Sequence, residues 1–171
     1  SSPMISERPP YQEPGEAMLT IEGLGTLDDR FLPAVKNLNL TIKSGEIVGI
    51  AGVSGNGQRE MAQAIAGLRP ITSGKVTISG KDLTNAPPSE RFTAGLGYVP
   101  EDRLGVGLAP RLTVTENAIL RSYKNLRKSI FLVSEQAVNY CKEIIERFGV
   151  RTGPIDEPIA GLSGGNLQRL L

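Results

Sequence analysis

Residues Gly52 to Arg59 (Gly52-Val53-Ser54-Gly55-Asn56-Gly57-Gln58-Arg59) have the spacing of a phosphate-binding glycine loop with two of its chemical groups exchanged. Glycines in this pattern let successive backbone N–H groups curl around phosphate oxygens. A helix that follows points its positive end at the same anion. The pattern G-x-x-x-x-G-K-[ST] has chemical meaning only between a strand and a helix. Residues 46–51 (EIVGIA) read as a short buried strand before the loop, and Met61, Ala62, Ile65 and Leu68 recur at helical spacing after it. Gln58 stands where the phosphate-binding lysine belongs, and Arg59 where the Mg²⁺-binding hydroxyl belongs. A charge-assisted hydrogen bond is worth about 1.5–3 kcal/mol, so Gln58 should weaken phosphate binding by roughly ten- to a hundredfold. Arg59 returns a positive charge but cannot ligate a metal as a hydroxyl does. The spacing therefore predicts a cradle without its charge chemistry.

A second small-residue turn lies at Leu162-Ser163-Gly164-Gly165-Asn166-Leu167-Gln168-Arg169. Small residues leading into a helix leave N–H groups open to an anion, with the Ser163 hydroxyl beside them. Taken alone, a Ser-Gly-Gly triplet is most often a turn. Its weight comes from the glycine loop upstream and the helical stretch between.

The elements that must position these motifs are readable in outline. Residues 1–17 carry Pro3, Pro9, Pro10 and Pro14 and read as a linker or tail. Folded sequence begins at Met18 with the strand Leu19–Glu22, and Val35, Leu38, Leu40 and Ile42 set up a second strand closed by a Ser44-Gly45 turn. A turn at Thr72–Gly74 leads to a strand at Lys75–Ile78. Pro87-Pro88 opens a short helix through Phe92, and Leu96–Val99 reads as a further strand. Thr113 and Glu116 form a capping box for a helix through Leu120. Ser134 caps a longer helix that Gly149 stops after Phe148, and Arg121 to Lys128 read as a basic, irregular surface.

Bulk properties exclude several classes. The 171 residues suffice for one domain that buries roughly 70% of its extended surface. Nineteen basic against 18 acidic residues leave no electrostatic footprint for nucleic acid. No apolar run approaches the ~20 residues of a membrane span. The chain has no histidine, which removes imidazole acid–base chemistry and imidazole metal ligation. The single cysteine, Cys141, falls on the apolar face Val138/Cys141/Ile144/Ile145/Phe148, a core position in a reducing setting.

The two motifs in this order resemble the ATP-binding domain of ABC transporters, whose signature is Leu162–Gln168. The loop spelling Gly-x-x-Gly-Asn-Gly-Gln and the signature spelling Leu-Ser-Gly-Gly-Asn resemble the second ATPase domain of simple-sugar and nucleoside importers with two such domains in one chain. The resemblance covers residues 18–171. It implies an α/β phosphate-loop NTPase fold with a β-subdomain, a Q-loop region at 97–103 and a helical subdomain over about 113–165. Glu101 stands at the Q-loop glutamine position, where its carboxylate could reach Mg²⁺. Arg103 is as well placed to pair with Glu101 or Asp102 as to touch ligand. For adenine stacking Phe31 is the nearest candidate and Tyr11 a weaker one.

The family's apolar strand ending in Asp-Glu and its switch histidine do not occur, so the domain is expected to be partial and unable to hydrolyse ATP alone. Ile155-Asp156-Glu157-Pro158 imitates the acidic motif but precedes the signature and follows no buried strand, so it is expected to be a loop. The resemblance implies ATP with Mg²⁺ as ligand. It implies as partners a second ATPase domain, transmembrane permease subunits and a substrate-binding protein. The place is the cytoplasmic face of the membrane. Ser163, Gly164 and Gly165 would then serve a site on the second ATPase domain. The competing readings are a nucleotide-free scaffold of the same fold and an independent phosphate-loop kinase or GTPase; the missing lysine and acidic ligand disfavour the latter.

Overall fold

A computed structural model describes residues 13–53, 55–123, 127–128, 131–132 and 134–171. The chain divides into two compact units, Ser1–Tyr98 and Val99–Leu171.

The first unit is built on an antiparallel sheet. Strands β1 (Ala17–Leu27), β2 (Pro33–Lys43), β3 (Ser73–Ile78) and β4 (Lys81–Asp82) lie in the order β2-β1-β3-β4. β1 pairs on both sides, and Ile21 and Leu24 from it meet Val76 and Ile78 of β3 in the core. Both β1 ladders shift register near Gly23, where Gly74 is pressed against β1. A Cβ on Gly74 would lie 2.4 Å from the Glu22 carbonyl oxygen, so only glycine fits this crossing.

Helix α1 (Gln58–Ile65) adds Ala64 to the same core. Helix α2 (Pro88–Thr93) starts with proline inside its first turn, as expected. Its Arg91 is only 2% exposed. The guanidinium donates to the carbonyls of Ala64 (2.6 Å), Ile65 (2.7 Å), Thr84 (2.8 Å) and Ala86 (3.1 Å). Two of these are carbonyls at the C-terminal end of α1, which a cation satisfies favourably.

Two expected strands are corrected. Residues 46–51 form no ladder with any described residue, and Ile47 is 97% exposed. Residues 96–99 are likewise outside any strand, although Leu96 packs on the core. Apolar, β-branched sequence becomes strand only with a neighbour to pair with, and the four sheet strands here pair among themselves. Two boundaries also move. α1 ends at Ile65, ahead of Leu68, with Gly67 in a left-handed turn, and β3 begins at Ser73 rather than Lys75.

The second unit is mainly helical. α3 (Val114–Ile119), α4 (Ser134–Phe148) and α5 (Gly164–Leu170) surround a core of Leu108, Val114, Cys141, Ile159, Leu167 and Leu170. The Thr113–Glu116 capping box is present, with both reciprocal hydrogen bonds. Buried Asn117 links α3 to the preceding turn by accepting from the Ala109 N–H and donating to the Ala109, Leu112 and Thr113 carbonyls. Gly149 follows α4 with φ of 61°. Cys141 is fully buried, and burial raises its thiol pKa, which keeps it a protonated core group. Phe148 at the end of the same face is half-exposed.

The segment from Arg121 to Lys128 is not wholly irregular. Arg127–Lys128 (β5) pairs antiparallel with Phe131–Leu132 (β6), while 124–126 lie outside the described residues. Residues 155–157 form a turn and Pro158 a single antiparallel bridge with Thr113, in agreement with the exclusion of this segment as a buried acidic strand.

Candidate functional site: two glycine turns

The glycine loop leads directly into α1. Gly55 and Gly57 take left-handed φ values of 87° and 90°, the conformation such a loop requires of glycine. Gly57 is also sterically closed, because a Cβ there would lie 2.4 Å from the Ala34 carbonyl oxygen. The first ladder bond of α1 runs from the Met61 N–H to the Gly57 carbonyl at 2.8 Å. The N–H groups of Gln58, Arg59 and Glu60 therefore precede the ladder. Ser54 lies outside the described residues.

The two exchanged side chains are both engaged within the protein. Gln58 folds back over the loop, where its Nε2 donates to the Val53 carbonyl at 3.2 Å. The amide lies so close to Gly52 that any Cβ there would clash with it. Arg59 is engaged by carboxylates outside the loop. Its Nη2 reaches Asp29 Oδ2 at 3.0 Å and Glu60 Oε1 at 2.9 Å, and its Nε reaches Glu60 Oε1 at 3.1 Å. These carboxylates, Glu60 foremost, raise the guanidinium pKa further.

Asp29 comes from the β1–β2 connection and serves a second arginine. Arg69 Nη2 meets Asp29 Oδ1 at 2.5 Å, while Arg69 also donates to the Leu27 carbonyl and to Gln63 Oε1. Arg69, then Arg59, hold the Asp29 carboxyl below its ordinary pKa. Asp29, Glu60 and Arg69 carry no motif spacing, and sequence reasoning missed them.

Phe31 sits in the same connection, 82% exposed and at φ of 61°. A bulky residue in the left-handed region is a marked outlier. Tyr11 lies outside the described residues.

The signature turn is different. Ser163 is the N-cap of α5 and makes no capping bond from its side chain. The first ladder bond is from the Leu167 N–H to the Ser163 carbonyl at 3.0 Å, so the N–H groups of Gly164, Gly165 and Asn166 precede it. Asn166 braces the turn, accepting from the Arg151 N–H at 2.9 Å and donating to Ser163 Oγ at 3.0 Å. Ser163, Gly164, Gly165 and Gln168 are exposed, and Leu162 is half-buried. A Cβ on Gly165 would meet nothing within 4 Å, whereas one on Gly164 would lie 3.2 Å from Arg103 Nη1.

Arg103 pairs with neither Glu101 nor Asp102. It begins a short π-helix (Arg103–Gly107) and donates through Nη2 to Gln168 Oε1 at 3.3 Å. Asp102 instead accepts from the Gly105 N–H at 2.8 Å. Glu101 is exposed in the second unit. The structure thus joins Arg103 to the signature, and the phosphate loop and signature lie in separate units.

At the glycine loop the two side chains that would meet the charges of a nucleotide with Mg²⁺ are engaged within the protein. Gln58 is bound to a carbonyl and Arg59 is bound to two carboxylates. The signature offers open N–H groups and a hydroxyl suited to an anion.

A glycine loop entering a helix in a β-rich unit, with a signature turn in a helical unit, defines the class of nucleotide-binding cassettes. The pattern of the ABC transporter family matches residues 35–171, and the chain belongs to that family as an ATP-binding domain. The chain is 42% identical over 162 residues to the glucose import ATP-binding protein TsgD13 of Haloferax volcanii, covering 92% of this chain and 30% of that protein. It is 38% identical over 161 residues to the guanosine import ATP-binding protein NupO of Bacillus subtilis, covering 93% and 32%. The chain therefore spans just under a third of the length of these curated relatives. A dimeric ATP-binding cassette bound to ADP and Pi superposes with a TM-score of 0.70 at 26% identity, covering 90% of this chain and 66% of that one.

Proposed function

We propose that this chain is the energy-coupling cassette of an importer for simple sugars or nucleosides, with a degenerate phosphate loop and a working signature. The loop binds ATP with Mg²⁺ weakly. The signature completes a nucleotide site on a second ATPase domain, in an assembly with permease subunits and a substrate-binding protein at the cytoplasmic face of the membrane. The relatives named for glucose and guanosine import support the transport class.

The observation that carries the division of labour is the state of the donors. Gln58 and Arg59 spend theirs on Val53, Asp29 and Glu60, whereas the Ser163 hydroxyl, whose oxygen accepts from Asn166, keeps its own proton open, as do the N–H groups of Gly164 and Gly165. In this reading Ser163 hydrogen-bonds the terminal phosphate, and the two glycine N–H groups add preorganised donors to it. The bound nucleotide supplies the phosphoanhydride bond to be cleaved and its metal the charge neutralisation. This chain's own residues bind and orient the phosphate end.

A single substitution tests the loop half of the reading. Gln58→Lys restores the missing cation to a backbone that already curls correctly, and should strengthen ATP–Mg²⁺ binding by about tenfold or more in calorimetry. Unchanged affinity in a folded variant would mean that the loop is no longer shaped to hold phosphate.

A further inference from the structure

We propose that Asp29 holds Arg59 away from the glycine loop and thereby lowers the loop's affinity for polyphosphate anions. The proposal deepens the reading above and rests on it for the class of ligand.

Between Lys43 and Arg69 the sequence contains one cation, Arg59, at the second position of α1. Its N–H neighbours at this helix end precede the ladder, so an anion drawn to the loop would meet the Arg59 backbone directly. The guanidinium nevertheless points to Asp29 and Glu60. The two carboxylates and two arginines of the cluster sum to zero formal charge, which cancels the attraction that Arg59 would add.

The two partners of the Arg59–Asp29 pair are not equally free. Asp29 is anchored from its other oxygen by Arg69, whose side chain is 14% exposed and tied in turn to the Leu27 carbonyl and Gln63. The Arg59 side chain is 57% exposed and that of Asp29 66%, so it is the bond to Arg69, not burial, that fixes Asp29. Asp29 is thus one of two anchors of Arg59, the other being Glu60, whose side chain is 11% exposed. Without the Asp29 charge, Glu60 still engages the Arg59 Nε and Nη2, and the one Nη2 N–H that Asp29 held becomes available to an oxyanion. An exposed ion pair is a weak restraint, so the effect of releasing it is about two- to fivefold in affinity.

Calorimetric titration of the full chain with inorganic tripolyphosphate, and separately with ATP and Mg²⁺, tests this, with thermal melting as the control for folding. Asp29→Asn should bind both anions two- to fivefold more tightly than wild type. Arg59→Gln should lower both affinities by no more than about twofold, because the guanidinium is held by carboxylates and only the net charge of an exposed cluster changes. The double variant should return to the wild-type value. The proposal is overturned by Asp29→Asn binding no more tightly, by absence of binding in both proteins, or by a gain that survives in the double variant. It is equally overturned if Arg59→Gln weakens binding severalfold. That arm decides the matter even should Asp29→Asn fail to fold. Failure of the importer reading is separate: it would appear as transport or ATPase behaviour of the assembled protein, and would leave this anion series as measured.

Discussion

Two glycine turns open helices in this chain, and their electrostatic states are opposite. At the loop before α1, the side chains that replace lysine and hydroxyl are bonded to a carbonyl and to two carboxylates. At the signature before α5, the serine makes no cap from its side chain, and the nearby cation Arg103 rests on a neutral acceptor, Gln168. Among the described residues no carboxylate lies within ion-pair distance of Arg103. The same backbone device can thus be kept as a binding element or absorbed into the fold. What separates the two is whether the surrounding donors have protein partners.

The comparison can be broken in several ways, and the largest expected effect is on the fold itself. Gly57→Asp forces a side chain onto φ of 90° and onto the Ala34 carbonyl oxygen. Strain and clash together should destabilise the first unit by about 3 kcal/mol or more. Denaturant unfolding of Gly57→Asp should show it, and a loss below about 1 kcal/mol would mean that the β2 start moves aside freely. Gly57 is for that reason a poor site at which to damage nucleotide binding selectively.

Thr113→Ala should be milder and confined to the second unit. Removing the side-chain half of the α3 capping box costs about 1 kcal/mol. Hydrogen exchange should rise in α3 while ATP titration at the glycine loop stays as in wild type. An equal rise in α1 would show that the two units do not fail independently.

Acid should produce the smallest effect. Leu32 N–H foremost lowers the Asp28 pKa, Arg69 lowers that of Asp29 and Thr84 that of Asp82. Carboxylates with depressed folded pKa values stabilise the native state above their unfolded values. That contribution is lost as pH falls through the folded ones. Stability of the first unit should therefore be flat above about pH 5 and decline below about pH 4. Asp29→Asn should make that decline shallower; an unchanged slope would remove Asp29 from the account.

Much of the local architecture was legible because its signals are local. The capping box at Thr113–Glu116, the proline start at Pro88 and the glycine stop at Gly149 each depend on a few adjacent residues. The two glycine turns were legible as helix starts, at Gln58 and Gly164, from their small residues. What was not legible depends on residues far apart in sequence. Asp29 meets Arg59 and Arg69 across 30 and 40 positions, and Arg91 reaches Ala64 across 27. Residues 46–51 misled for the related reason that apolar alternation reports a wish for burial, which only a pairing strand fulfils.

The central claim is that this domain contributes through its signature and not through its own loop. The direct test compares two point lesions in the full-length protein assembled with its partners. Gly165→Asp adds a carboxylate where a Cβ meets nothing of the domain itself, so it spares the fold and repels phosphate. Gln58→Glu places a like charge in the glycine loop without a backbone clash. The account predicts that Gly165→Asp abolishes ATP turnover, with a loss of about a hundredfold or more, as for removal of preorganised transition-state donors. Gln58→Glu should leave turnover within about threefold of wild type, in line with a loop whose charge chemistry is already weak. Equal losses from the two lesions, with both proteins folded and assembled, would contradict it.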